Sequence, residues 1–181
     1  MKNNFIVIEG LSGSGKSSVS QKLAEALNGY HYKAPVEPIS ILREYVDQVM
    51  TSQTRALYYL MAVSHLSDIV DKNISKAPIV VDKYIYTTIS FNKARNVEIE
   101  IPKFITLRKP DFIFFLDVDD NIREERISTR NNETFKRDSK RIEKDKKVIE
   151  AFNEFPFIRI NNNHSIDHSV KQILDIIHKS Y

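Results

Sequence analysis

The stretch "FIVIEGLSGSGKSSVSQKLAEALNG", Phe5 to Gly29, decides the fold. It opens with an apolar, β-branched run that reads as a buried strand over Phe5 to Glu9. Gly10 to Ser17 then satisfies G-x-x-x-x-G-K-S, and Val19, Leu23, Ala26 and Leu27 recur behind it at helical spacing. A strand, a glycine-rich turn and a helix in that order form the setting in which this motif grips a nucleoside triphosphate. Glycines let backbone N–H groups curl round the phosphates, and the helix N-terminus adds its positive end. Lys16 is placed to reach the β and γ oxygens, and the Ser17 hydroxyl to coordinate Mg²⁺. The ATP-binding candidates are therefore Gly10, Ser12, Gly13, Ser14, Gly15, Lys16, Ser17 and Ser18. Gly29 is expected to stop the helix.

Outward from this unit, further strands are expected at Ile79 to Asp82, Phe112 to Val118 and Phe157 to Ile160, with a weaker one in "YKAPVE". Their continuous apolar character belongs to a parallel sheet covered on both faces. Helical patterns fall at "ILREYVDQVM", "TRALYYLMAVSHLSDIVDKNI", "RIEKDKKVIEAFNEF" and "SIDHSVKQILDIIHKS". This alternation predicts an α/β three-layer sandwich with right-handed crossovers, whose ligands bind beyond the carboxyl ends of the strands.

The 181 residues, without repeats or linkers, fit one domain. Absence of cysteine rules out disulfides, thiolate metal sites and a cysteine nucleophile, and fits a reducing, cytoplasmic setting. No apolar run approaches the roughly 20 residues of a membrane span, so a soluble protein is expected. The net charge of +3 does not announce nucleic acid as a partner. Basic residues crowd Arg123 to Lys147 with acids interleaved, which suits either a solvated helical face or a phosphate-facing lid.

A GTPase would read guanine through Asn-Lys-x-Asp, but "NKAR" at Asn92 to Arg95 ends in arginine and has no carboxylate for the base. A small kinase needs instead an acceptor pocket and a cationic lid, because the loose phosphoryl transition state is handled by position and charge.

Taken together, "FIVIEGLSGSGKSS", Glu37-Pro38, "ALYYLMAVSHL", "VVDKYIYTTISFN", "PDFIFFLDVD", "RISTR" and "KRIEKD" resemble, in order and spacing, the thymidylate kinase-like family. The resemblance implies a five-stranded parallel sheet and phosphoryl transfer from ATP, with Mg²⁺, to a nucleoside monophosphate. It implies that Asp82 sits near the metal and the transferring phosphoryl, with Lys83 standing where the family has an acceptor-binding arginine. It also implies that Tyr58 stacks on the acceptor base, that Phe91 and Asn92 lie beside that base, and that Asn161 to Asn163, Asn162 included, pass the ATP adenine. A lid is expected at about 126–141. Gly13 occupies a position where some family members place an arginine, so the catalytic cation must come from elsewhere. Arg126 and Arg130, four apart on a helical face, can both point at the phosphates, and Lys136 or Arg137 can close over them. A homodimer through helices near Tyr58 is implied as well.

The chain departs from the family pattern at Ser12, which replaces an acidic residue, at Val36 before Glu-Pro, and at Ala62, which replaces a helix arginine. Arg43, Arg55 and Lys83 remain as cations for an acceptor phosphate. Two alternatives stay open. A nucleoside hydroxyl acceptor would need a base, and Glu37 in "VEPIS" resembles the catalytic glutamate of deoxynucleoside kinases. A nucleotide-binding interaction protein with a degenerate acceptor site is the other.

Overall fold

The computed structural model describes residues 3–129 and 145–180. Its elements run β1 (Phe5–Gly10), α1 (Lys16–Ala26), β2 (Tyr30–Lys33), a short 3₁₀ turn (Ile39–Leu42), α2 (Arg43–Val49), α3 (Ser52–Asn73), β3 (Ile79–Asp82) and α4 (Ile85–Lys93). These are followed by β4 (Phe112–Asp117), α5 (Asp120–Ser128), α6 (Asp145–Phe152), β5 (Ile158–Asn161) and α7 (Ile166–Lys179). The strands form one five-stranded sheet in the order β2-β3-β1-β4-β5, and every pairing is parallel. The predicted α/β three-layer sandwich is what the chain adopts.

Alternation along the central strands divides the core between two faces. Ile6, Ile8, Phe114 and Leu116 meet Val19 and Leu23 of α1 and Val170, Ile173 and Ile177 of α7. Phe5, Val7, Ile79 and Val81 meet Leu60, Val63, Leu66 and Val70 of α3 and Ile85 of α4. All six residues of β1 are buried, as a strand flanked on both sides and covered on both faces must be.

Three local expectations are corrected. The weak strand lies earlier than "YKAPVE", at Tyr30–Lys33, and ends before Pro35, which has no N–H to give to a ladder. Asn28, not Gly29, takes the left-handed conformation after α1, at φ 49°. Gly29 is needed because a side chain there would run into the Pro78 carbonyl. The helix α4 escapes the periodicity reading, since "IYTTISFNK" is rich in β-branched and aromatic residues with low intrinsic helix preference. Tertiary contacts hold it instead.

Candidate functional site

β1 delivers the chain into the phosphate loop at its carboxyl end, where the strand order turns between β3 and β4. Gly13 and Gly15 take φ of 82° and 85°, a region that costs other residues about 1–2 kcal/mol. Space forbids a side chain at both positions as well. A Cβ on Gly13 would come 2.9 Å from the Arg123 carbonyl of α5, and one on Gly15 would come 2.7 Å from Asn162 Nδ2. An arginine at position 13 would therefore require α5 to move.

Lys16 is buried at the start of α1, where its Nζ donates to the Leu11 carbonyl at 2.5 Å and to Ser14 Oγ at 3.4 Å. Burial is the main cause that pushes its pKa down to about 7, with the positive charge of Lys83 adding to it. Ser17 Oγ donates to Asp82 Oδ2 at 2.5 Å, joining the first turn of α1 to the end of β3. Asp82 is fully buried and its Oδ1 has no hydrogen-bond partner. A hydroxyl and a carboxylate with a spare oxygen fit a Mg²⁺ that takes its other ligands from phosphates and water. Among the described residues no group of three or more His, Cys, Asp or Glu forms a protein-only cage, and Mg²⁺ bound to a nucleotide does not need one. Ser18 is exposed on the same first turn of α1.

Beyond the loop opens a cavity of about 760 Å³, its mouth included. Gly10, Ser12, Lys16 and Lys83 line it near the phosphate loop, together with Arg43, Asp47 and Tyr59 from α2 and α3 and Thr87, Thr88, Phe91, Asn92 and Arg95 from the α4 segment. Lys83 holds φ 73° and is driven below the usual lysine pKa, mainly by burial. Asn92 is 2% exposed; its Nδ2 donates to the Thr88 carbonyl at 2.8 Å, and its Oδ1 is left without a partner. Asp47 accepts from the Tyr59 hydroxyl at 2.8 Å and lies 3.6 Å from Arg43 Nε. Burial and the Asp47 charge push the Tyr59 phenol up to about 12.

Several sequence expectations fall elsewhere. Tyr58 is not part of the cavity lining; it packs edge-on against Tyr59 and donates its hydroxyl to the Ile39 carbonyl at 2.9 Å. Tyr59 faces the cavity in its place, with Val63 one helical turn on. Glu37 is exposed and also outside the lining, and its backbone carbonyl lies 3.4 Å from His65 Nε2. Arg55 binds the Asp47 carbonyl at 3.2 Å and does not reach the cavity wall. Asn162 supports the phosphate loop from beneath: its Nδ2 donates to the Ser14 carbonyl and its Oδ1 accepts from Ser169 Oγ, each at 2.6 Å. Arg126 lies against the same support, with Nη2 on the Asn162 carbonyl at 3.0 Å and Nη1 unpartnered. Arg130, Lys136 and Arg137 lie outside the described residues, as does most of the expected lid.

Sequence reasoning missed four contributors. Arg95 and Asp47 had no motif to mark them. Arg123, 3% exposed, donates from Nε to the Ser12 carbonyl at 3.0 Å and braces the loop. Glu9 looked like the last residue of a buried strand, and its charge was the one available signal.

The family model for thymidylate kinase matches residues 8–173. The chain belongs to the thymidylate kinase family. A thymidylate kinase of Staphylococcus epidermidis is 30% identical over 98% of both chains. A probable thymidylate kinase of Methanocaldococcus jannaschii is 28% identical over 88% of this chain and 87% of its own. Among solved structures, the thymidylate kinase of Candida albicans superposes with a TM-score of 0.74 at 22% identity, covering 99% of this chain and 92% of that one. A deoxyadenosine kinase from M. mycoides superposes with a TM-score of 0.71 at 20% identity, over 96% of this chain and 98% of that one. As a member of the thymidylate kinase family the protein is a kinase, with ATP as phosphate donor. Among the described residues no helix is long and apolar enough to cross a membrane.

Proposed function

We propose that the protein transfers the γ-phosphoryl group of Mg-ATP to the phosphate of a nucleoside monophosphate, dTMP or a close relative, in the cytoplasm. The observation that carries this reading is the charge of the acceptor cavity. Among the described residues, Lys16, Arg43, Lys83 and Arg95 line it against a single carboxylate, Asp47, which is already engaged by Tyr59 and Arg43. An acceptor phosphate matches those cations and, being anionic at neutral pH, needs no base to remove a proton. A nucleoside hydroxyl would need one. Glu37, the residue cast for that part, stands outside the cavity.

In this reading the phosphate loop and Lys16 hold the donor, while Arg43 and Lys83 hold the acceptor phosphate in line. An acceptor oxygen bonds to the γ-phosphorus as the bond to the β,γ-bridging oxygen breaks, and ADP leaves. Ser17 and Asp82 would hold Mg²⁺, which neutralises charge developing on the phosphates. Tyr59 offers a face for the base, and the free Oδ1 of Asn92 accepts from a base N–H. Arg126 supplies positive charge to the donor side.

Exposed Leu57 and Met61, one turn apart on α3, together with Tyr45 and Val49 of α2, give an apolar surface for a second copy. Light scattering of Leu57→Glu is expected to show a dimer turned monomer. The function is tested by ADP release with Mg-ATP over dTMP, dUMP, dCMP, dAMP and dGMP and the matching nucleosides. Turnover confined to monophosphates is expected; turnover confined to nucleosides overturns the reading.

A further inference from the structure

Glu9 is the anomaly of the core. It is fully buried in the central strand, on the face where Phe5 and Val7 pack against apolar partners, yet it is a carboxylate. Such a group is costly to bury unless its oxygens are met by donors. Here the donors come from the turn into α4. Oε1 accepts from the backbone N–H of Tyr84 at 2.9 Å and of Thr87 at 3.2 Å, and Oε2 accepts from the Thr87 hydroxyl. Helix α4 has no side-chain cap of its own, so a strand distant in sequence satisfies the N–H groups that its first turn leaves open.

Lys83 lies between two of these attachments. Its own N–H donates to the Ile8 carbonyl at 3.1 Å, and the next N–H along the chain goes to Glu9. The left-handed backbone of Lys83 is uncommon for a residue with a side chain and is strained. It persists because β1 fixes the peptide on both sides. That conformation is what aims the Lys83 side chain into the cavity, beside Thr87 and Thr88 from the same clamped turn.

We infer that Glu9 is a positioning residue for the acceptor half of the site. It acts through Lys83 and the first turn of α4, and it is not itself part of the cavity lining. The inference rests on the reading that Lys83 holds the acceptor phosphate. Without the Glu9 carboxylate, Lys83 can relax to an ordinary φ and swing its ammonium away, while the phosphate loop keeps its own contacts.

The test is a double-mutant cycle with Mg-ATP and whichever of the five monophosphates above has the highest kcat/KM. Glu9→Ala is expected to raise the acceptor KM about 10- to 100-fold, the scale of a displacement near 1 Å, while the ATP KM stays within about 2-fold. On a Lys83→Ala background the same change is expected to add less than about 3-fold, because its route is already gone. Glu9→Gln, which keeps an oxygen for the two N–H groups, is expected to restore most of the loss. Should Glu9→Ala not fold, Glu9→Asp takes its place: it draws the carboxylate back by about 1.5 Å and is expected to give a smaller rise in acceptor KM alone. An unchanged acceptor KM, an equal loss for ATP and acceptor, or full additivity with Lys83→Ala overturns the assignment. If Lys83→Ala itself leaves the acceptor KM unchanged, the reading of Lys83 fails, and the clamp falls with it.

Discussion

Replacing Asn162 with alanine separates two accounts of the loop after β5. The residue is 1% exposed, and its side chain makes two hydrogen bonds of 2.6 Å, one to the Ser14 carbonyl and one from Ser169 Oγ. Alanine keeps the backbone bond from Asn162 N to the Asp117 carbonyl and the one that Arg126 makes to the Asn162 carbonyl, so only the side-chain pair is lost. Ser169 Oγ retains the Asn161 carbonyl at 3.3 Å, whereas the Ser14 carbonyl is stranded. A stranded buried acceptor costs about 1–3 kcal/mol and a replaceable bond about 0.5–1 kcal/mol, which gives roughly 3 kcal/mol in all. For a chain of this size that corresponds to a fall in Tm of about 6–12 °C. Because Ser14 belongs to the phosphate cradle, the KM for ATP is expected to rise roughly 10-fold, equivalent to about 1.4 kcal/mol. Differential scanning fluorimetry of the protein alone and steady-state kinetics are the two readouts. A Tm shift below about 2 °C combined with a raised ATP KM would refute the buttress and return Asn162 to the adenine contact expected from its sequence position.

Three further outcomes are expected. Tyr59→Ala should raise the acceptor KM about 5- to 150-fold, the worth of about 1–3 kcal/mol of base stacking, whereas Tyr58→Ala should lower Tm and leave that KM within about 2-fold. Asp82→Asn should cut kcat by about 10²- to 10³-fold, and raised Mg²⁺ should recover part of it if the carboxylate helps hold the metal. The third concerns pH. Burial lowers Lys16 from its ordinary 10.5 to about 7, so this group's contribution to stability is present above 10.5 and lost as pH falls through 7. Glu9 is raised from 4.5 to about 7, mainly by burial, so its contribution is present below 4.5 and lost as pH rises through 7. At pH 8 the phosphates of ATP should recharge Lys16, and calorimetry in two buffers of different ionisation enthalpy should detect uptake of close to one proton per ATP. No uptake would mean that Lys16 is already charged in the free protein.

The order of strands and helices and the phosphate loop were legible because their signals are local. An apolar run, a glycine spacing and a helical period need no knowledge of what lies across the fold. The same local signals pointed to Lys16 and Ser17, whereas Asp82 was implied by the family resemblance; the first turn of α1 and the end of β3 come together because β1 and β3 pair in parallel. Failures occurred where the answer depended on rotation or on a distant partner. Tyr58 and Tyr59 are neighbours in sequence but point roughly 100° apart on a helix, so only the packing of α3 on the sheet could choose which of them faces the cavity. Glu37 lies in the connection between β2 and α2 and outside the cavity lining, a placement that no local pattern encodes. Asn162 and Glu9 are defined by contacts 148 and 75 residues away in sequence, to Ser14 and Tyr84. The sequence by itself therefore determined the scaffold and the phosphate loop, and left the acceptor open between a monophosphate and a hydroxyl. The tertiary structure alone decided which side chains face the cavity, because facing is a property of how elements pack and not of the residues within one element.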